Sequence, residues 1–238
     1  MKNNLLQLKN ITVEFENVVA LSDVSLSIGK GEIVSLIGPN GSGKSTVLKT
    51  AFGLVGIKSG KVLWNNQEIT LSPDRMAKIG FSYVPQGKQI FPNLTVQENL
   101  EIGGYVIRDK KIIQQKIADM TKLFPILLKK MDAKASSLSG GQQQLLALAR
   151  GLMTGPEILL LDEPSLGLSP KMTKELFSTI NDINKKYNTT TLIVEHNIRS
   201  LLKISNRYYI LNGGKIIEAS STHDIEGQAV LKKILSDG

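Results

Sequence analysis

Residues 38–46 read GPNGSGKST and decide the fold. They fit the pattern G-x-x-x-x-G-K-[ST] of a phosphate-binding loop and follow a short apolar run at residues 32–37. Glycines let such a loop turn its N–H groups inward, and the helix N-terminus behind the loop adds free donors and a favourable dipole. The pattern therefore predicts a strand, a loop that binds nucleotide phosphates, and a helix. The predicted phosphate-binding residues are Gly38, Pro39, Asn40, Gly41, Ser42, Gly43, Lys44, Ser45 and Thr46.

Two side chains of this loop carry specific predicted chemistry. Lys44 brings a positive charge to the β- and γ-phosphates and so takes part in catalysis, and the Ser45 hydroxyl ligates Mg²⁺. The alternative is a glycine-rich turn with an exposed lysine, which the placement between a strand and a helix disfavours.

A second motif, ILLLDE, occupies residues 158–163. Its apolar residues predict a buried strand that delivers two carboxylates at its C-terminal end, where ligands bind in open α/β sheets. Asp162 fits a Walker B aspartate that holds Mg²⁺, and Glu163 is placed to orient and activate an attacking water. The alternative is a helix cap followed by a surface acid.

A third motif, LSGGQ, occupies residues 138–142. Taken alone, it predicts a helix N-terminus with Ser139 as the cap. Because the chain already has one anion-binding helix terminus, this motif would supply a second.

Composition excludes several other chemistries. The 238 residues contain no cysteine, which removes disulfides, thiolate zinc sites, iron–sulfur clusters and cysteine nucleophiles. The net charge of +8 favours nucleotides, nucleic acid or an anionic membrane surface as partners, or reflects a solvated lysine-rich surface. No apolar run approaches the roughly 18–20 residues that span a bilayer, so we expect a soluble chain that reaches a membrane only through a partner.

Strand and helix patterns alternate around the motifs, as in an α/β nucleotide-binding core. A mostly helical stretch interrupts them, with apolar residues at helical spacing across residues 113–124. Further predicted strands are residues 11–15, 61–64, 67–69, 79–84, 191–194, 209–211 and 215–217.

With these motifs in this order, the chain resembles the ATP-binding subunits of ABC transporters over essentially its whole length. The resemblance implies an α/β fold: a P-loop NTPase core, with a RecA-like mixed sheet and flanking helices, plus an antiparallel β subdomain and a helical insertion. It implies one domain, with the core and β subdomain at about residues 1–86 and 152–238 and the helical signature subdomain at about 87–151. The implied cofactors are ATP and Mg²⁺.

Further site residues come from the resemblance alone. Phe15 matches an aromatic ring that stacks on adenine. Gln86 matches a glutamine that joins Mg²⁺, takes part in catalysis and leads toward the transmembrane partner, and His196 matches a catalytic histidine that contacts the γ-phosphate. The alternative for Phe15 is a core residue of a strand, that for Gln86 is an exposed amide in a loop, and that for His196 is a histidine with a purely structural role. Two such domains dimerise head to tail in the family, so that the signature loop contacts the partner's ATP. The implied loop residues are Ser139, Gly140, Gly141 and Gln142.

Residues 86–100 and 164–170 resemble the ATPases of branched-chain amino acid importers, in particular the second ATPase, a subfamily that includes urea and amide importers. The implied partners are two transmembrane permease subunits, a second ATPase subunit and, indirectly, a solute-binding protein, at the cytoplasmic side of the cell membrane; no nucleic acid is expected. The alternatives are a soluble ABC ATPase acting on nucleic acid or ribosomes, which the +8 charge favours, and a P-loop kinase or GTPase.

Overall fold

Two β-sheets and a set of flanking helices form the structure, a computed structural model that describes residues 4–87, 89–196 and 198–222. The strands are β1 (Asn4–Phe15), β2 (Val18–Gly29), β3 (Ile33–Ile37), β4 (Ser59–Trp64), β5 (Gln67–Glu68), β6 (Phe81–Val84), β7 (Ile158–Asp162), β8 (Thr190–Val194), β9 (Arg207–Asn212) and β10 (Lys215–Ser221). The helices are α1 (Lys44–Ala51), α2 (Pro73–Lys78), α3 (Val96–Gly103), α4 (Lys110–Leu123), α5 (Pro125–Leu128), α6 (Gly140–Leu152), α7 (Pro170–Tyr187) and α8 (Ile198–Leu202), with a 3₁₀ turn at Ala135–Ser137.

The larger sheet is mixed and follows the order β10-β9-β3-β8-β7-β6. Strands β9, β3, β8, β7 and β6 pair in parallel, and β10 joins β9 antiparallel. The smaller sheet is antiparallel in the order β2-β1-β4-β5. Helices α3 to α6 lie between β6 and β7 in the chain. These layers confirm the predicted fold class.

Alternating side chains of the central strands pack into two separate cores. Ile33 and Ile37 of β3 belong to the core that includes α3 to α7, whereas Val34 and Leu36 belong to the core under the antiparallel sheet. Because β3, β7 and β8 are buried at every position, their sequences are mostly apolar and do not alternate between apolar and exposed polar residues. The C-terminal ends of these parallel strands lie at one edge of the sheet, which places the motifs that follow them together.

Several predicted strand boundaries were wrong: β1 begins at Asn4 rather than at residue 11, and β5 ends at Glu68 rather than at residue 69. The strand expected at residues 79–84 begins only at Phe81, because Ile79 ends α2 and Gly80 has a φ of +97°. Strand β2 and helix α2 themselves were not predicted. The division of the chain into a core and a signature subdomain stays a prediction. In the part of the chain that the structure describes, no helix is both long and apolar enough to cross a membrane.

Candidate active site

The phosphate-binding loop connects β3 to α1 and holds a buried lysine. Lys44 is 5% exposed, and its Nζ donates to the carbonyls of Gly38 and Pro39 at 2.9 Å. Burial lowers the pKa of Lys44, an effect that the nearby Glu163 and Asp162 carboxylates oppose. The glycine-rich loop therefore encloses the positively charged ammonium group of Lys44, and this arrangement suits the binding of an anionic phosphate.

Asp162 is the last residue of β7, and its carboxylate accepts hydrogen bonds from two side chains. Ser45 donates its hydroxyl to Asp162 Oδ1 at 2.9 Å, and Tyr83 donates to Oδ2 at 3.1 Å. Burial raises the pKa of Asp162, while these two hydrogen bonds act in the opposite direction. Tyr83 was not among the predicted site residues, because in the sequence it is one more apolar position of strand β6.

Three predicted catalytic side chains meet directly after the parallel strands. Gln86 Nε2 donates to Glu163 Oε2 at 2.7 Å, and His196 Nε2 lies 2.8 Å from Glu163 Oε1. The Glu163 side chain is 11% exposed and that of His196 44%. Glu163 is thus largely buried, with each carboxylate oxygen in contact with a polar side chain from a different loop.

A cavity of about 910 Å³ joins these groups to Phe15. Ser42 is buried, and its hydroxyl has no hydrogen-bond partner among the described residues. Four predicted residues, Gly38, Pro39, Ser42 and Asp162, are absent from the described lining of the cavity. The predicted residues that line it are Phe15, Asn40, Gly41, Gly43, Lys44, Ser45, Thr46, Gln86, Glu163 and His196. Sequence reasoning missed the lining residues Val18, Val19, Ala20, Leu166, Gly213 and Gly214. Val18 had a detectable signal, because a two-residue turn after Phe15 pairs the two residues across a hairpin.

The LSGGQ motif forms a helix N-terminus elsewhere on the molecule. Ser139 caps α6: its Oγ accepts from the Gln142 N–H at 3.4 Å, and its own N–H donates to Gln142 Oε1 at 3.0 Å. None of Ser139, Gly140, Gly141 and Gln142 is among the described residues that line the cavity. The chain therefore presents a second helix terminus that its own cavity does not use.

A protein-family model described as "ABC transporter" matches residues 21–166, which include all three motifs. The chain belongs to the ABC transporter family. It is an ATP-binding and ATP-hydrolysing cassette, which confirms the predicted activity and nucleotide.

Two curated relatives match almost the full length of this cassette. The high-affinity branched-chain amino acid transport ATP-binding protein BraG of Pseudomonas aeruginosa is 38% identical over 214 residues, 90% of this chain and 91% of BraG. The probable branched-chain amino acid transport ATP-binding protein LivF of Archaeoglobus fulgidus is 40% identical over 213 residues, 89% of this chain and 90% of LivF.

Solved structures share the fold of this cassette. A nucleotide-free ATP-binding cassette from an ABC transporter superposes with a TM-score of 0.87 at 30% identity, covering 96% of this chain and 95% of that one. A dimeric post-hydrolysis state of the cassette MJ0796, bound to ADP and Pi, has a TM-score of 0.82 at 29% identity, covering 92% and 100%. The roles of individual site residues stay predictions.

Proposed function

We propose that this cassette powers an importer of branched-chain or other hydrophobic amino acids. The observation that carries the proposal is the identity of 38% and 40% to two branched-chain amino acid transport ATP-binding proteins, over about nine-tenths of each chain. An importer of urea or amides from the same subfamily is the alternative, since the transported substrate does not touch the ATPase subunit.

In the proposed reaction, Lys44 binds the β- and γ-phosphates and Glu163 is the general base. Glu163 orients the attacking water and accepts its proton through a carboxylate oxygen. Gln86 and His196, at 2.7 and 2.8 Å, fix the direction of that carboxylate. His196 is the more exposed partner, and we propose that it contacts the γ-phosphate. Phe15 lines the same cavity and offers a ring on which adenine can stack.

The donor set beside the loop fits Mg²⁺. Ser45 and Asp162 oxygens lie 2.9 Å apart, and Gln86 bonds through its nitrogen, which leaves its amide oxygen as a further hard donor. Among the described residues, no group of three or more acidic, histidine or cysteine side chains could hold an ion by itself. This suits an ion shared between a few protein oxygens and nucleotide phosphates. When bound, Mg²⁺ neutralises the charge that develops on the transferred phosphoryl oxygens.

We propose that the capped N-terminus of α6 binds the nucleotide of a second cassette. Ser139, Gly140, Gly141 and Gln142 do not line this chain's own cavity, and the related cassette MJ0796 forms a dimer. Free N–H groups and the dipole at the start of a 13-residue helix favour an anion there. The partner cassette is a second copy or a different ATPase subunit.

A groove between β6 and helices α3 and α6 is the proposed docking site for a membrane partner. It has a volume of about 270 Å³, and Phe91, Ile102 and Tyr105 at its rim are 44%, 40% and 67% exposed. The Arg150 guanidinium lies 5.1 Å from the centre of the Phe91 ring, and no described carboxylate pairs with it. We propose that a permease segment with an apolar face and an acidic residue docks here, at the cytoplasmic side of the membrane.

Co-purification from native membranes tests this function. We expect two multi-spanning permease chains and a second ATPase, and the matching solute-binding protein would identify the substrate class. Arg150→Glu should release the permease chains yet retain ATP binding, whereas Lys174→Glu, an equal charge change on the exposed face of α7, should retain both. Recovery of ribosomes or DNA in place of permeases would contradict a role in transport.

A further inference from the structure

Glu195 is a buried carboxylate that the proposed reaction does not use. It is 3% exposed and follows β8 directly. Its Oε1 accepts a hydrogen bond from the Ser165 N–H at 2.6 Å, and its Oε2 accepts one from the His196 N–H at 3.0 Å. One side chain therefore joins the loop after β7 to the loop after β8.

The first of these loops holds Glu163 in an unusual backbone conformation. Glu163 has a φ of +49°, in the left-handed region that side chains with a Cβ seldom adopt. Such a backbone conformation is energetically unfavourable and persists only where the surrounding contacts determine it. The Glu163 N–H donates to the Val194 carbonyl at 2.9 Å, and its own carbonyl accepts from Leu166 at 3.1 Å. The Glu195–Ser165 bond completes this set of contacts.

The second loop carries His196, whose ring contacts the same glutamate. Strands β7 and β8 are neighbours, and Asp162 pairs with Val194 at their ends. The Glu163–His196 contact of 2.8 Å depends on the relative position of two loops that no regular sheet pairing holds beyond that point. Hydrogen bonds from N–H groups to a buried carboxylate are short and strong, so Glu195 is suited to hold both loops.

We propose that Glu195 is a positioning residue of the ATPase site, which clamps the two loops so that Glu163 and His196 keep their mutual geometry. The proposal rests on the catalytic role proposed for Glu163. A purely structural carboxylate would instead stabilise the fold and leave turnover intact.

Glu195→Gln tests the clamp with little change of volume. The variant keeps one acceptor oxygen but places an NH₂ group against the other N–H. We expect kcat to fall by at least about 10-fold with the KM for ATP within about 2-fold of the parent. Amide hydrogen exchange should accelerate in peptides covering residues 163–168. Glu195→Asp keeps the charge but is shorter and reaches only one amide, so its exchange rate and kcat should lie between those of the parent and of Glu195→Gln.

Glu32→Gln is the matched control. Glu32 is also buried, accepts from the Gly29 N–H at 2.7 Å and pairs with Arg207. Its variant should lower the melting temperature without a selective loss of kcat below that temperature. Unchanged exchange, or unchanged kcat, in both Glu195 variants would overturn the clamp. Glu163→Gln, measured in parallel, separates the proposals: if it retains turnover, the assignment of the base fails, while hydrogen exchange still shows whether Glu195 holds the loops.

Discussion

Asp162 is a single residue whose ionised carboxylate is needed at the proposed metal site but lowers the stability of the nucleotide-free fold. Its carboxylate is buried, and burial raises its pKa despite hydrogen bonds from Ser45 and Tyr83. A raised carboxyl pKa means that the contribution of this group to stability is present at acidic pH and is lost as the pH rises through the raised value. The ionised form that suits a metal therefore destabilises the nucleotide-free fold.

Asp162→Asn should raise the midpoint of thermal unfolding in the absence of nucleotide at pH 7. The amide keeps a partner for each hydroxyl but carries no buried charge. The gain over the parent should shrink as the pH approaches about 4, where the unfolded carboxyl is protonated as well. Stabilisation by ATP should no longer increase on addition of Mg²⁺. Differential scanning fluorimetry across pH measures both effects, and a lower midpoint than the parent at pH 7 would contradict the prediction.

Some of these site residues could be predicted from local sequence motifs, and others could not. Lys44, Asp162 and Glu163 follow from motifs that have a local physical meaning. The contacts of Gln86 and His196 with Glu163 depend on three loops far apart in the chain, so the sequence did not predict them. The family resemblance suggested only that Gln86 and His196 belong to the site. Tyr83 and Glu195 could not be distinguished from an ordinary strand residue and a surface acid until the neighbouring strands were known.

At the scale of elements, α3 and α6 approach each other through a glycine. A Cβ added to Gly103 would lie 2.5 Å from the Arg150 carbonyl oxygen and 3.0 Å from Met153. Backbone atoms cannot give way as a flexible side chain can, so α3 must move for any larger residue to fit. The same contact lies beside the groove, since Ile102, Gly103 and Arg150 all line it.

Gly103→Ala should lower stability by about 1–3 kcal/mol and weaken permease docking, because it overpacks this contact. The matched control is Gly56→Ala at an exposed position where an added Cβ meets nothing within 4 Å. Urea unfolding compares the two variants, and nucleotide titration should give the parent affinity for both. Equal free energies of unfolding for the two variants would contradict this prediction, because they would show that α3 and α6 can move apart without loss of stability.

Element boundaries were less predictable than element types. The buried strands β3, β7 and β8 have strong apolar runs, and α4 has a clear helical spacing. Helix α2 is only six residues long and buries one residue, Met76, so it has almost no periodicity to detect. Its cap, Ser72 followed by Pro73, was the only available signal.

For the whole molecule, the separation of the α6 terminus from the cavity predicts a nucleotide-dependent dimer. Glu163→Gln should bind ATP but hydrolyse it at least about 10²-fold more slowly, since the general base is lost. Bound ATP then links two cassettes by mass action, and the variant should elute as a dimer in ATP and as a monomer without it.

Ser139→Ala, combined with Glu163→Gln, controls for nonspecific association. It removes a hydroxyl proposed to contact the partner's nucleotide and leaves the cavity of its own chain unchanged. This double variant should bind ATP yet stay monomeric in size-exclusion chromatography. A dimer that persists in the double variant would place the interface elsewhere.

The position of α6 also bears on when the cassette spends energy. In the proposed arrangement, a copy without a partner lacks the signature-loop groups at its own nucleotide, because residues 138–142 lie away from its own cavity. A lone copy would bind ATP without consuming it, whereas copies that pair, with each other or with a different ATPase subunit, would hydrolyse it. Cassettes too dilute to pair would therefore be no idle drain on the nucleotide pool.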